Sequence, residues 1–424
     1  MILYNRNIDL ELISDSFYFP TSLTFDTEGI AYIAESGITF NGRPDSGRIW
    51  RIEKHDNRSL VADGFRPPIN GLTFHDDSIY VSEGGFPGRI QKLNSDGHQT
   101  VILDNLPGPG NYHTNMVAFS PDDKMYFSQG AMTNTGIIGL DGYDIGWLRR
   151  LPHAHDIPGY DIVLAGVNME TINPLSKEQN AQATTGAFAP FGTRTRPSEQ
   201  MAGQLPCTAG IMRCEPDGTN LELVAWGLRN SYGLGFLPDG RLIATDQGAD
   251  DRGSRPIGNA PDLLFHIRKD SWYGWPDFIG GDPVTDAKYK PERGPNPSFV
   301  LANHGDLPPP EGPLLRFPSH SAAVKFDVAP QEHFWKGQIF VALFGDERPM
   351  TAPLGPKVGR SVVRVDPDDW SLHPFVEDPL VRPIDVRFNP VDGSLYILDF
   401  GRFEIDAKRV IAPPQTGRLW RVQS

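Results

Sequence analysis

The chain has 424 residues, a formal net charge of −14 and no basic run, which excludes the basic stripe a nucleic-acid partner needs. No apolar stretch approaches the roughly 18 residues of a membrane-spanning helix. The start, MILYNRNIDLELIS, lacks the basic and apolar regions of a secretory signal, which leaves two compartments open: the cytosol, or the periplasm or exterior after a signal has been removed.

In chain order, apolar residues alternate with period 2 in six segments that each end on phenylalanine: PTSLTF (Phe25), INGLTF (Phe74), TNMVAF (Phe119), SYGLGF (Phe236), SAAVKF (Phe326) and PIDVRF (Phe388). That alternation predicts strands. Most are followed by a turn rich in Asp and Gly and then by a second strand: AYIAE, IYVSE, MYFSQ, LIATD, IFVAL and LYILD. A second phrase interleaves with the first, again in six copies: GRIWRI (47–52), GRIQKL (88–93), AGIMRC (209–214), DLLFHI (262–267), GRSVVRV (359–365) and GRLWRV (417–422). Weaker segments such as SLVADG and TVILDN supply a fourth strand per unit.

Six four-stranded units predict an all-β fold, a six-bladed β-propeller, over 1–424 as a single domain. With 44 Gly and 39 Pro the chain is rich in turn formers, as short strands require. The spacings between the phenylalanines are 49, 45, 117, 90 and 62 residues, against about 40–45 for a bare blade. The excess of the third and fourth predicts insertions at about 137–206 and 270–318. The terminal GRLWRV is expected to complete a blade with strand residues from the N-terminus. A two-domain α/β fold would need helices, and capped stretches of period 3.6 are almost absent. Cys207 and Cys214 match no four-ligand zinc pattern; they read as two free thiols or a local disulfide.

Equivalent positions in a propeller converge on one axis. Six residues before each phenylalanine stand Phe19, Pro68, His113, Asn230, His320 and Arg382, with Arg229 adjoining. The second strands end on Glu35, Glu83, Gln129, Asp246, Leu343 and Asp399, which a hairpin returns to the same face. One mouth therefore holds acids beside cations and imidazoles. Such a mouth suits a small polar ligand, a divalent cation or an anionic cofactor held by arginine. The bland reading of each acid is a turn cap, and of each histidine a satisfied structural residue.

The series LRNSYGLGFLPDGRLIATDQGADD (228–251) and WYGWPDF (272–278) resembles the soluble quinoprotein sugar dehydrogenases, the glucose/sorbosone dehydrogenase family. YHTNMVAFSPDDKMYFSQG, HSAAVKF and RPIDVRFNPVDGSLYILDFG are similar to other blades of that family. The resemblance covers about 250 residues and implies a six-bladed propeller that binds pyrroloquinoline quinone (PQQ) and calcium. It implies that His113 is the general base for a sugar or polyol hydroxyl and that Arg229 faces the reactive quinone carbonyl and the developing oxyanion. Asn230 and Gln247 would hydrogen-bond the quinone, Arg382 and Lys357 would pair with its carboxylates, and the carbonyls of Gly248 and Ala249 would help hold calcium. An external electron acceptor such as a cytochrome is implied as well, since this chain has no CxxCH haem motif. The chain departs from the family pattern at Asn115 and Met116, where a Gly-Arg pair follows the histidine, and at Ile384, where a second arginine is expected.

Two other functions fit the same mouth. One is a calcium-dependent hydrolase or lactonase with the metal on Glu35, Glu83, Asp246 or Asp399 and His113 or His320 as base. The other is a non-catalytic binding propeller. The cations separate them: a lactonase has little use for Arg229, Lys357 and Arg382, and a binding module needs no histidine base.

Overall fold

Each phenylalanine-terminated phrase lies on or beside the innermost strand of a four-stranded antiparallel sheet, and six such sheets follow one another along the chain. The computed structural model describes residues 8–40, 45–53, 57–85, 87–108, 110–406 and 409–423. Blade 1 is Pro20–Phe25, Ala31–Glu35, Gly47–Ile52 and Arg58–Phe65; blade 2 is Ile69–His75, Ser78–Glu83, Gly88–Asn94 and Gln99–Leu106. Blade 3 is Thr114–Phe119, Met125–Gln129, Gly210–Cys214 and Glu222–Trp226; blade 4 is Leu234–Phe236, Leu242–Asp246, Pro261–Ile267 and Leu315–Ser319. Blade 5 is Ala323–Val328, Ile339–Leu343, Ser361–Val365 and Leu372–Val376. Blade 6 is Pro383–Phe388, Leu395–Asp399 and Gly417–Val422, and its outer strand is Leu10–Phe17 from the other end of the chain, antiparallel with Leu10 opposite Val422. The fold is a six-bladed propeller, nearly all β, with one short α-helix, Leu140–Ile145, among the described residues.

The recurring phenylalanine has a packing reason. Phe25 packs on Tyr396 of blade 6 with ring centroids 5.1 Å apart, Phe119 on Tyr80 of blade 2 at 4.7 Å, Phe236 on Tyr126 of blade 3 at 5.3 Å and Phe388 on Phe340 of blade 5 at 5.3 Å. Each partner is an aromatic residue near the start of the preceding blade's second strand. At these four seams the first strand of one blade and the second strand of the blade before it thus carry the two halves of one contact, edge-to-face in each and worth about 0.5–1.5 kcal/mol beyond the area it buries.

Three loops leave the repeat on the mouth side. Residues 130–209 of blade 3 carry the short helix and two small hairpins, Ile162–Val163 with Gln200–Met201 and Asn168–Ile172 with Gln182–Gly186. The loop after the third strand of blade 4 sends Ser271–Trp272 back as a parallel fifth strand on blade 3. That insertion is shorter than the sequence suggests, because Leu315–Ser319 is the outer strand of blade 4 and not inserted chain. The third loop, 344–360 of blade 5, accounts for the 62-residue spacing that sequence spacing alone left unassigned. Cys207 and Cys214 are both buried free thiols.

A buried charge closes the axis below the mouth. Lys325 on the inner strand of blade 5 is fully buried, and its Nζ donates at 2.5 Å to the carbonyls of Thr21 in blade 1 and Asn70 in blade 2. Asp385 of blade 6 lies 3.6 Å from the same Nζ and accepts hydrogen bonds from Ser22 Oγ and the Leu23 amide. Burial lowers the Lys325 pKa to about 7, opposed by Asp385.

Candidate active site at the mouth of the propeller

The imidazole of His113 precedes the inner strand of blade 3 and leans over the end of blade 2. A Cβ on Gly84 would lie 2.5 Å from the Cβ of His113, so glycine there gives the histidine its place. His113 is half-buried, and its Nδ1 is buried without a hydrogen-bond partner. Burial pushes its pKa down to about 4, opposed by the Gly84 backbone; the ring is therefore neutral at pH 7.

Arg229 stands across from it, 3 % exposed. Its Nε and Nη2 donate to the carbonyl and side-chain oxygens of Asn134 at 3.2 and 2.7 Å, and Nη2 also to Asp250 at 2.7 Å. Its Nη1 donates to the carbonyls of Gln247 at 3.2 Å and Gly248 at 2.6 Å. The guanidinium lies 4.4 Å from the centre of the Tyr112 ring. All five N–H donors are engaged. Asp250 also accepts from Arg252 Nε at 2.9 Å, and Arg252 reaches Asp141, on the helix of the blade 3 insertion, at 2.7 Å.

Asn230 and Gln247 meet side by side, the Asn230 Nδ2 donating to the Gln247 Oε1 at 2.8 Å. Asn115 fixes this pair: its Nδ2 donates to Asn230 Oδ1 at 2.9 Å and to the Ser231 carbonyl at 3.2 Å. The residue that departs from the family pattern thus orients one that keeps it. Met116 and Ile384, the other two departures, are buried in the core.

Arg382 is 1 % exposed, donating to the carbonyls of Phe403, Phe344 and Asp346 at 3.0, 3.2 and 2.7 Å. It lies against the rings of Phe344 and Phe403, and Glu404, bonded to Arg360, is 3.6 Å away. Lys357, on the third loop, is exposed. The structure thus brings His113, Arg229, Asn230, Gln247, Gly248 and Ala249 around blades 3 and 4, and Arg382 and Lys357 around blades 5 and 6.

The acids that end the second strands have another task. Glu35 accepts the Tyr18 amide at 2.8 Å; Asp246 accepts the amides of Arg229 and Asn230 at 3.2 and 2.7 Å; Asp399 accepts those of Val381 and Arg382 at 2.7 and 2.8 Å. Each carboxylate caps the turn that opens its own blade's inner strand. Burial raises Asp246 to about 7 against those bonds. Glu83 is held by Arg89 and Gln91. Among the described residues no three acids, histidines or cysteines converge to hold a metal, and Glu35, Asp246 and Asp399 serve as strand caps.

Sequence register passed over Tyr112, Asp250, Arg252, Asp346, Glu347 and Arg360. They lie outside strand ends, and only the ADD run after Asp-Gln-Gly hinted at Asp250.

The donor set matches a carboxylate-bearing quinone in kind. Asn230, Gln247 and Arg229 stand together at blades 3 and 4, Arg382 and Lys357 belong to blades 5 and 6, the Gln247 Nε2 makes no hydrogen bond among the described residues, and the buried Nδ1 of His113 has no hydrogen-bond partner among them. A calcium ion on the Gly248 carbonyl would share that oxygen with the Arg229 guanidinium.

No model of a known protein family matches the chain, and no curated protein does. Solved structures do match in fold. The holo PQQ domain of pyranose dehydrogenase from Coprinopsis cinerea has 14 % identity and TM-score 0.56, over 99 % of this chain and 98 % of that one. The PQQ-bound aldose sugar dehydrogenase from Streptomyces coelicolor has 15 % identity and TM-score 0.54, over 98 % and 99 %. A calcium structure of a Trichoderma reesei carbohydrate-active enzyme of family AA12 has 14 % identity and TM-score 0.56, over 98 % and 95 %. In fold, this chain resembles the PQQ-dependent sugar dehydrogenases along its whole length.

Proposed function

We propose that the protein is a quinoprotein oxidoreductase that oxidises a sugar or a related alcohol or aldehyde with PQQ and calcium. The observation that carries this reading is the gathering, at the mouth ends of blades 3 and 4, of a half-buried histidine kept neutral by burial with Arg229, Asn230 and Gln247. The names of the structural neighbours, two of them PQQ-bound or PQQ domains, support it.

In this reading His113 takes the proton of the substrate hydroxyl. Burial keeps its imidazole unprotonated, the state a base requires. Arg229 holds positive charge against the developing oxyanion, and its bonds to Asn134 and Asp250 keep the guanidinium in place. Asn230 and Gln247 donate to the quinone, with Asn115 fixing which face of the Asn230 amide is presented. Lys357 and Arg382 supply charge for its carboxylates. The carbonyls of Gly248 and Ala249 are oxygen ligands of the kind calcium prefers, available once Arg229 Nη1 yields Gly248. PQQ, when bound, is the hydride acceptor. The electrons then leave to an external acceptor such as a cytochrome.

The test is an absorbance titration of the protein with PQQ, with and without calcium, followed by dye-linked oxidation of a panel of sugars. Saturable, calcium-dependent binding near one equivalent and sugar-dependent dye reduction are expected. A protein that leaves the PQQ spectrum unchanged at tens of micromolar overturns the reading.

A further inference from the structure

We infer that Asn115 is a positioning residue that sets the direction of a side-chain amide relay, Asn115 to Asn230 to Gln247, so that the relay ends in a free N–H donor and fits a ligand oxygen that only accepts. The inference deepens the quinoprotein reading and rests on it for the identity of that oxygen as one of PQQ's carbonyl or carboxylate oxygens.

A side-chain amide donates from one end and accepts at the other, and half a turn about its last bond exchanges the two. A row of amides can therefore run in either direction unless one member meets a group that cannot turn. Here that group is the Ser231 carbonyl, which accepts and never donates. The Asn115 Nδ2 donates to it at 3.2 Å, and the second proton of the same nitrogen goes to Asn230 Oδ1 at 2.9 Å. Asn230 is thereby made to turn its oxygen toward Asn115. Its own Nδ2 is left to donate to Gln247 Oε1 at 2.8 Å. Gln247 in turn keeps Nε2, which makes no hydrogen bond among the described residues. Reversing Asn230 alone would set two N–H groups together at one end and two oxygens at the other.

The backbone leaves the relay no other freedom. Asn115 lies on the inner strand of blade 3 and is 1 % exposed; Asn230 is 4 % exposed. The Asn230 amide donates to Asp246 Oδ1 at 2.7 Å, and its carbonyl accepts the Gln247 amide at 3.2 Å. A Cβ on Gly130 would lie 2.9 Å from Asn230 Oδ1, so blade 3 closes on the Asn230 side chain from another side. Only the ends of the amides can turn, and a buried donor or acceptor set against its own kind is unfavourable. Asn115, two bonds away from Gln247, therefore decides which end of Gln247 is free. A carbonyl or carboxylate oxygen suits that end; an ammonium group, which only donates, does not.

Side-chain amide NMR on the full chain, labelled with ¹⁵N at Asn and Gln, tests the relay without any ligand. Water-exchange rates of the Gln247 Nε2 protons are compared among the native protein, Asn230→Asp and Asn115→Leu at pH 8. In Asn230→Asp one carboxylate oxygen accepts from Asn115 and the other faces Gln247, which must turn its Nε2 inward; exchange at that nitrogen should slow at least tenfold. Asn115→Leu removes the fixed end, so the pair runs both ways and the rate should fall about twofold. PQQ titration of the same proteins should show affinity lower by about tenfold or more in Asn230→Asp, where an acceptor replaces the donor, and within threefold of native in Asn115→Leu. Gln247 exchange that is the same in Asn230→Asp as in the native protein overturns the inference, and Asn230→Asp keeps every relay donor satisfied should Asn115→Leu fail to fold. The expected exchange rates in a protein that leaves the PQQ spectrum unchanged would sink the quinoprotein reading and leave the relay standing.

Discussion

Two regions of this propeller bury charge in opposite ways. On the axis, Lys325 touches the carbonyls of two blades and faces Asp385 of a third; every element of the cluster is an inner strand. At the mouth, where the strands open into loops, His113 keeps a buried ring nitrogen with no hydrogen-bond partner among the described residues. Both come from the same convergence of repeated positions on one axis. Below the mouth, facing blades are close enough to satisfy one another. Above it they diverge, and whatever fills the space must bring its own donors and acceptors. Convergence alone therefore does not mark a site; unsatisfied convergence does.

The largest effect expected is on turnover. His113→Asn should fold and bind quinone nearly as the native protein does, yet lose about 10²–10⁴-fold in kcat, the contribution of a positioned base. Stopped-flow dye reduction measures it; if His320→Asn abolishes turnover while His113→Asn stays within threefold, the base is on blade 5 instead. On the axis the expected loss is in stability. Lys325→Met removes one member of a buried pair and should cost about 3–5 kcal/mol, read from urea unfolding, with the mouth's ligand affinity unchanged in the folded fraction. Arg382→Ala should affect both regions: loss of the charge-assisted bonds to the Phe344 and Asp346 carbonyls costs about 1.5–3 kcal/mol of stability, and PQQ binding weakens by about ten- to a hundredfold. An unchanged unfolding midpoint would mean that those carbonyls find other partners.

Two titrations sharpen the contrast further. Lys325 has a folded pKa of about 7 against 10.5 for an exposed lysine, so the unfolded chain binds the extra proton between these values. Its contribution to stability rises as pH climbs from about 7 toward 10.5, and the stability gap between the native protein and Lys325→Met should widen over that window. His113 should show an NMR midpoint near 4 in the protein without cofactor. A midpoint near 6.5 would mean that water solvates its ring.

The blades were legible because each half of the Phe–Tyr contact between neighbours is written into a strand of period 2. Insertion boundaries were less so: Leu315–Ser319 has the pattern LRFPS, whose proline masks an outer strand. The 344–360 loop has no periodicity to read, and with it Asp346 and Glu347 were invisible. The acids at the second-strand ends were placed correctly on the mouth face, yet a carboxylate that serves a ligand and one that caps its own blade's first turn share one address. Only the amide hydrogens of Tyr18, Arg229, Asn230, Val381 and Arg382 tell them apart. Arg229 and Arg382 read as free cations for the same reason: most of their acceptors are carbonyls, and a sequence does not show which carbonyls a guanidinium reaches.

The strand Leu10–Phe17 finds its partner in Gly417–Val422, about 400 residues later. At a ribosomal rate of about 5–20 residues per second, roughly 20–80 s separate their synthesis. During that time the side of Phe17 that ends fully buried has no sheet to join, and the inner strands of blades 1 and 5 lie on either side of a blade not yet made. An exposed apolar strand is a template for pairing with other chains. In that interval the strand is open to pairing with other chains, and a holding chaperone over it would keep the edge of blade 6 free until Gly417–Val422 arrives.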